Sequence, residues 1–215
     1  MTYLEIVNKV LRLMRETSAI SVTIVDDIVV ELVADHVNDA KRHVEGAHNW
    51  NALRHTWDVT IPAGASSFAL PGAGSQAQID YIFGEDGTEL RETTNKRLAY
   101  KRKAGTQTMT PSLEYAVDGI DANRDIKVRV YPAPAADYDV EVSGFKKQAD
   151  LVQDTDILLV PAQPVIYLAL ALAARERGEV GGQTAGEIFG MAEQYLKDAI
   201  ANDAALNTLE YNWYS

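Results

Sequence analysis

The spacing of apolar residues changes twice along this chain, and this change constrains the fold more than any other feature of the sequence. In residues 3–48, and again after Asp156, apolar side chains recur every three or four positions, the period of an amphipathic helix. From Thr56 onward the period is two, and glycine and proline punctuate the chain, as in short strands joined by turns. We therefore expect helices from both chain ends and a β-rich insertion between them.

Capping signals predict where the helices begin. Thr2 and Thr184 each stand three residues before a glutamate, so each can form a capping box that satisfies free backbone amides. Thr23 and Asp26 offer a weaker box for a second helix, and Pro161 suits the first turn of a third. The predicted helices run from Thr2 to about Arg15, from Thr23 to about His48, from Pro161 through the apolar run 165–174, and from Thr184 past Ile200.

The insertion contains two groups of candidate strands. Short strands are expected at 56–61, 67–70 and 78–83, and stronger signals lie at 113–117, 126–131 and 138–145. In the last two segments valines alternate with charged residues, so each presents one apolar face to a core. We expect the last three segments to form an antiparallel meander, because parallel strands need a long crossover between them.

The predicted fold class is therefore α+β. Residues 1–55 and 157–215 form a four-helix domain built from both chain ends, and residues 56–156 form an inserted antiparallel β-rich domain. The apolar run 165–174 is about half of the roughly 20 residues that a membrane-spanning helix needs, so we expect a buried helix there and no membrane partner.

Composition excludes several kinds of chemistry. The 215 residues include no cysteine, which removes disulfides, thiolate nucleophiles and cysteine-ligated zinc. A net charge of −11 disfavours tight, sequence-reading contact with DNA. The same charge suits either a surface past which DNA slides or simple solubility. The amino terminus lacks the pattern of a secretory signal, so synthesis and assembly in the cytoplasm are expected.

The one cluster resembling a metal or acid-base site is His36, Asp39 and His43. Spacings of three and four place these side chains on neighbouring helical positions, which makes a metal-dependent hydrolase the enzymatic alternative. The cluster lacks the His-Glu-x-x-His pattern of zinc hydrolases, and the chain has no Gly-x-Ser-x-Gly elbow. We expect a partly buried His36, no catalytic or metal site, and no cofactor.

A basic run at residues 91–103 carries six cations with one acid among them. It is predicted as a short helix or an exposed loop. Its cations are suited to an acidic neighbouring subunit or to passing DNA, whereas a solvated surface is the plainer interpretation. These candidate subunit or channel residues are Arg91, Lys96, Arg97, Lys101, Arg102 and Lys103.

The carboxyl-terminal residues include three large rings, at Tyr211, Trp213 and Tyr214. Aromatic side chains are typical anchors of protein interfaces, since each buries a large area with few rotatable bonds. The rings therefore either bind a partner or fold back onto their own domain.

The order of several short segments along the chain resembles the head-to-tail adaptor proteins of tailed phages and is similar to the tail tubular protein A family of short-tailed phages. The segments are YLEIVN at 3–8, NDAKR at 38–42, WNALR at 50–54, VRVYPAP at 128–134, DL at 150–151, DILLVP at 156–161, and the helix from YLAL at 167–170 to RGE at 177–179. None of them is a catalytic motif.

This resemblance implies a structural virion protein with no enzymatic activity. It implies a homo-oligomeric ring, commonly a dodecamer, that docks on the portal protein, carries the tail nozzle or tube protein, and lets DNA pass through a central channel. The helical domain would form the ring near the portal, and the β-rich domain would face the tail. Related adaptors grip the portal with a carboxyl-terminal extension, which assigns that role to Tyr211, Trp213 and Tyr214. Another tail or tail-completion component is the alternative.

Overall fold

A computed structural model describes residues 1–23, 27–105, 113–177 and 184–207. The chain divides into two compact units, one of Met1–Ala52 with Gln148–Ser215 and the other of Leu53–Lys147. Within the described residues there are five α-helices and seven strands, and nearly all strand pairs are antiparallel, which confirms the α+β class. The helices are α1 Tyr3–Leu13, α2 Ile28–Ala47, α3 Asn95–Ala104, α4 Ala162–Arg177 and α5 Ala185–Asn207.

Four of these helices form the first unit, and α4 lies at its centre. This helix packs against α1, α2 and α5, so it is covered on most sides. Its buried residues include Val165, Ile166, Ala169 and Ala173, each at most 1% exposed. The apolar run 165–174 is therefore a buried helix, as predicted. No helix in the described part of the chain is long and apolar enough to cross a membrane.

Two of the three predicted capping boxes are present. The amide of Thr2 donates to Glu5 Oε2 at 2.9 Å, and the amide of Thr184 donates to Glu187 Oε2 at 2.8 Å. The box predicted at Thr23 is wrong, because α2 begins at Ile28 and the Asp27 carboxylate accepts from the Val29 amide at 2.9 Å. Residues 24–26 lie outside the described part of the chain.

The second unit is a sandwich of two sheets. The first has the strand order β1-β7-β3 and the second the order β2-β6-β5-β4, in which only the short β4–β5 pairing is parallel. The strands are β1 Arg54–Ile61, β2 Ser67–Ala69, β3 Gln78–Gly84, β4 Arg91–Glu92, β5 Glu114–Ile120, β6 Ile126–Tyr131 and β7 Tyr138–Phe145.

The predicted three-stranded meander is wrong in its last strand. Strands β5 and β6 pair as expected, but β7 leaves them and lies between β1 and β3 in the other sheet. Val142 of β7 is in register with Trp57 on one side and with Ile82 on the other. Alternation fixes which face of a strand is apolar but not its partner. Val142 meets the same core from either sheet.

The inner faces of both sheets share one apolar core. Its members come from all strands except β4 and from the connecting turns, and each is at most 7% exposed: Trp57, Ile61, Phe68, Leu70, Ala73, Ala77, Ile82, Leu90, Tyr115, Ile126, Val128, Val130, Val140 and Val142. The outer faces of the two sheets therefore point away from each other, on opposite sides of the sandwich.

Residues 148–156, predicted as part of the insertion, belong to the helical unit. The boundary predicted at residue 156 is displaced because this segment bonds to the first helices. Asn38 accepts from the Leu151 amide at 2.9 Å and donates to the Leu151 carbonyl at 3.0 Å. The Tyr3 amide donates to the Asp156 carbonyl at 2.8 Å. The segment has no helical or strand period, so its place could not be predicted from spacing.

Candidate interaction surfaces

The basic run folds as the short strand β4 followed by helix α3, which settles the choice between a helix and a loop. Thr94 caps the helix by accepting from the Arg97 amide at 3.3 Å. Gly105 ends it in the left-handed region at φ 62°, where a side chain would be strained. Lys101, Arg102 and Lys103 occupy the last turn, where the helix dipole favours cations.

An ion-pair network joins α3 to the β2-β6-β5-β4 sheet. Lys101 Nζ lies 2.8 Å from Glu114 Oε2, and Arg97 Nη2 lies 3.7 Å from Glu114 Oε1. Glu114 is only 6% exposed, and Leu98 is buried beside the same sheet. Two of the six predicted cations are therefore used inside the unit, where they compensate a buried carboxylate.

Helix α3 lies on the outer face of this sheet. Glu114 and Tyr131 are register partners, and both contact the helix: Tyr131 donates its hydroxyl to the Lys101 carbonyl at 3.4 Å. Tyr115 and Val130, the next register pair, belong to the core. Because successive residues of a strand point to opposite faces, the helix covers the side away from the core.

The remaining cations face solvent. Lys96, Tyr100 and Lys103 are spaced by four and three residues, so they share one face of α3, roughly opposite the buried Leu98. Tyr100 is 72% exposed between the two lysines. Arg91 and Arg102 are also exposed, and none of these four cations has an ion pair with an acid in the described residues. The three residues that share the solvent-facing side of α3, Lys96, Tyr100 and Lys103, are called the basic helix face below.

The outer face of the β1-β7-β3 sheet carries the opposite charge. Asp58 of β1 and Glu141 of β7 are register partners, and Phe83 of β3 is in register with Glu141 on the other side. Asp139 lies two residues from Glu141 on the same face and accepts from the Thr60 hydroxyl at 2.5 Å. A groove of about 520 Å³ runs over these residues and Glu85.

Aromatic rings flank the carboxylates on this surface. Tyr81 and Phe83 pack with ring centroids 5.0 Å apart, and both are partly exposed. At one end Arg54 lies 4.8 Å above the Phe145 ring and pairs with Asp80 at 2.8 Å. The groove residues Asp58, Glu85, Asp139 and Glu141, with the rings of Tyr81 and Phe83, are called the acidic sheet face below. Among the described residues, these four carboxylates have no ion pair.

The predicted histidine cluster does not converge on one point. His36 is 8% exposed and lies 3.6 Å from Glu176 of α4, whereas Asp39 pairs with Arg42 at 2.6 Å. His43 is exposed. No group of three potential ligands that could hold a metal ion occurs in the described ranges. His36 is therefore more deeply buried than the sequence predicted, and the side chains of His36 and Asp39 point to different partners.

Two segments behind the phage resemblance meet in the helical unit. Arg42 of the 38–42 segment donates to both carboxylate oxygens of Asp150, with Nε 3.1 Å from Oδ1 and Nη2 2.5 Å from Oδ2. Lys41 is fully buried and donates to the Gln148 carbonyl at 2.8 Å. These residues, which sequence reasoning treated only as a pattern, fix residues 148–151 against α2.

A third segment, at 50–54, joins the end of α2 to α5. Trp50 is 1% exposed and donates its indole N–H to the Val44 carbonyl at 2.7 Å. Asp203 of α5 accepts from the Asn51 amide at 3.2 Å and lies 3.1 Å from His48 Nε2. The quoted segments of this unit therefore form the contacts that hold its helices together.

The acidic sheet face was missed in the sequence. The alternation of Asp139 and Glu141 with Val140 and Val142 predicts only that one side of this strand is polar. The carboxylates come together on one surface because β1 and β3 lie on either side of β7, and the spacing of residues in the sequence does not predict this strand order. The predicted portal contacts Tyr211, Trp213 and Tyr214 lie outside the described residues.

Comparison with known protein families gives one match, which spans both units. The family described as SU10 adaptor protein matches residues 1–211. No individual curated protein matches the chain significantly. The matched region includes the helical unit, the inserted β-rich unit and both surfaces described above. The chain therefore belongs to the SU10 adaptor protein family, and it is a structural, phage adaptor protein of the virion.

Proposed function

We propose that this protein forms a homo-oligomeric ring, a dodecamer, between the portal and the tail nozzle or tube protein of its phage. The ring leaves a central channel through which DNA passes, as in the tail tubular protein A family. The observation that carries this proposal is the adaptor-family match over residues 1–211. The match extends over both units and is not limited to one short motif.

The helical unit is the part that forms the ring and meets the portal in this proposal. It exposes large apolar side chains that its own core does not use, and such side chains favour protein contacts when they adjoin one another. Val152, Ile157 and Leu159 are 48–61% exposed on the segment between β7 and α4. The β-rich unit then faces the tail.

Charge supports a channel that does not retain DNA. The chain carries 31 acidic and 20 basic residues, so a ring of many copies is strongly anionic. Affinity for nucleic acid comes largely from cations that displace phosphate counterions. An anionic ring therefore lets DNA slide through without sequence-specific binding.

The carboxyl-terminal rings Tyr211, Trp213 and Tyr214 bind the portal in this proposal. Large aromatic side chains supply much of the binding energy of protein interfaces, because they bury area at little entropic cost. Their spacing within four residues makes one short anchor.

Electron microscopy tests the proposal at two levels. Images of the purified protein, alone and mixed with its portal, are expected to show closed rings. A reconstruction of the head–tail junction is expected to show twelve copies between portal and tail. A protein that stays monomeric under both conditions and is missing from virions would refute the ring. Density for this protein elsewhere in the tail would instead support a tail or tail-completion component.

A further inference from the structure

The two charged surfaces of the β-rich unit lie on opposite sides of the same sandwich. The basic helix face belongs to α3, which covers the outer side of the β2-β6-β5-β4 sheet. The acidic sheet face is the outer side of the β1-β7-β3 sheet. Because the two sheets share one core, one copy of the chain cannot bring these surfaces into contact with each other.

We infer that the acidic sheet face of each copy binds the basic helix face of the next copy. This inference rests on the proposed ring and identifies two surfaces of the β-rich unit that join its subunits, in addition to the contacts assigned to the helical unit. A contact between two different patches on opposite sides of a protein is heterologous. Repetition of such a contact closes a ring when the rotation between neighbouring copies divides a full turn, and otherwise builds an open filament. A two-fold dimer would instead need one self-complementary patch.

The acidic sheet face is electrostatically unfavourable in an isolated copy. Asp58 and Glu141 are register partners on adjacent strands, and like charges directly opposite each other on a sheet are destabilising. Within the described ranges, neither has a cation within ion-pair distance. A cationic partner therefore relieves a repulsion that the isolated chain retains.

The basic helix face has the complementary chemistry. Lys96 and Lys103 extend from one side of α3 with Tyr100 between them, and Tyr100 is 72% exposed. On the acidic sheet face, the Phe83 ring likewise lies beside carboxylates. An aromatic centre surrounded by opposite charges is typical of specific interfaces, in which the rings supply affinity and the charges fix orientation.

The Arg97 and Lys101 cations serve the same contact indirectly. They are held by the buried Glu114, so they keep α3 on its sheet and leave the opposite side of the helix free. This division of the basic run explains why only some of its cations are paired. A helix with a fixed position loses little freedom when it binds.

Charge reversal on each side tests this contact. One variant carries Asp58→Lys and Glu141→Lys, and the other carries Lys96→Glu and Lys103→Glu. Each variant alone brings like charges together, so self-association is expected to weaken by about tenfold or more. Circular dichroism and thermal unfolding confirm that both variants are folded. Self-association is measured by analytical ultracentrifugation and by ring counts in electron micrographs.

Mixing the two variants gives the decisive result. In the mixture both kinds of contact between unlike copies join opposite charges, so rings of alternating variants are expected to form. A single chain with all four substitutions has the same net charge as the original and is expected to assemble by itself. It is the matched control, because its two surfaces are exchanged in sign but remain complementary.

The outcomes separate this inference from the proposed ring. If the original protein forms rings and both reversal variants form them equally well, the ring stands and this contact is wrong. If each variant is defective and mixing fails to restore rings, the two surfaces bind other partners, such as DNA or another virion protein, and the inference is overturned. An original protein that forms no ring, alone or with its portal, refutes both.

Discussion

Asp150 accepts two hydrogen bonds from the guanidinium of Arg42, although the two residues are 108 positions apart in the chain. The pair joins the segment that follows the β-rich unit to α2, in the helical unit. Both residues lie in segments that resemble phage adaptors. The contact therefore gives a physical reason for the presence of these two segments: it holds the residues that follow the insertion against α2.

Replacing Asp150 with asparagine is expected to lower the free energy of unfolding modestly. The two side chains are 45% and 55% exposed, so water screens the pair, and we expect a loss of about 0.5–1 kcal/mol at neutral pH. Denaturant unfolding measures this loss. Asp35→Asn, on the helix α2 that carries Arg42, is the control, because Asp35 is exposed and has no ion pair in the described residues.

The effect of this substitution also depends on pH. The hydrogen bond from Arg42 lowers the pKa of Asp150 below its usual value. A lowered pKa contributes stability that is complete above the unfolded value, about 4, and is lost as pH falls through the folded value. The difference between the original protein and Asp150→Asn is therefore expected to shrink in acid. A difference that stays constant down to pH values well below 4 would contradict the assigned ion pair.

Lys41 and Glu45 form a buried ion pair that is expected to show strong coupling. Lys41 Nζ lies 3.2 Å from Glu45 Oε1, and the two side chains are 0% and 1% exposed. Removing one charge takes this ion pair from a charge that stays buried, which costs up to about 3–5 kcal/mol. We expect Lys41→Met or Glu45→Met to be severely destabilised and the double variant to be more stable than either. Additive losses in denaturant unfolding would show that the charges are not coupled.

Local features of the fold were predictable from the sequence. The capping boxes at Thr2 and Thr184 depend on residues three positions apart, and the burial of α4 follows from its own composition. The resemblance to a phage adaptor is confirmed at the level of the family. Each of these features depends on residues that are close together in the sequence or on the order of short segments along the chain, so it could be predicted.

Features set by distant partners were not predictable. The position of β7 between β1 and β3 depends on which sheet receives Val142, and both choices bury that valine. The opposition of Asp58 and Glu141 follows from the same pairing. Residues 148–156 follow no period, because hydrogen bonds to α1 and α2 hold them instead of regular structure.

Tyr3 is expected to make stability sensitive to alkaline pH. Its hydroxyl donates to the Ala34 carbonyl at 2.9 Å, and burial raises its pKa to about 12. A raised pKa contributes stability that is complete below the unfolded value, about 10, and is lost as pH rises through the folded value. Unfolding of the original protein should therefore become easier between about pH 10 and 12.

Tyr3→Phe separates this effect from general alkaline denaturation. At neutral pH the variant should be less stable by about 1 kcal/mol, because the Ala34 carbonyl loses a second donor and the Asn38 amide loses the hydroxyl that accepts from it. Above pH 10 the difference should narrow, since phenylalanine does not ionise. A difference that is independent of pH would contradict the burial of the phenol.

Gly144 is expected to tolerate no side chain. A Cβ atom at this position of β7 would lie 2.2 Å from the Gln78 carbonyl oxygen of β3, and backbone cannot move aside as a flexible side chain does. Gly144→Ala is therefore expected to destabilise the β-rich unit by about 1–3 kcal/mol.

Gly190→Ala is the matched control. Position 190 is in α5 with nothing within 4 Å of an added Cβ, so we expect a gain of about 0.5–1 kcal/mol. Thermal unfolding that is equally affected by both substitutions would contradict the close approach of β3 and β7.

Substituting Tyr211, Trp213 and Tyr214 together by serine is expected to impair portal binding and leave the ring intact. In the proposed function these aromatic side chains are anchors on the portal. The contacts between subunits are assigned instead to the rest of the helical unit and to the two charged surfaces of the β-rich unit, so portal binding and ring formation should separate. Loss of aromatic anchors commonly weakens an interface by about tenfold or more, which a pull-down with purified portal detects. Asn212→Ser, which changes the same segment without removing an aromatic side chain, is the control. Unchanged portal binding by the triple variant would show that the aromatic residues do not bind the portal. Failure of the triple variant to form oligomeric rings would assign these residues to the contact between subunits.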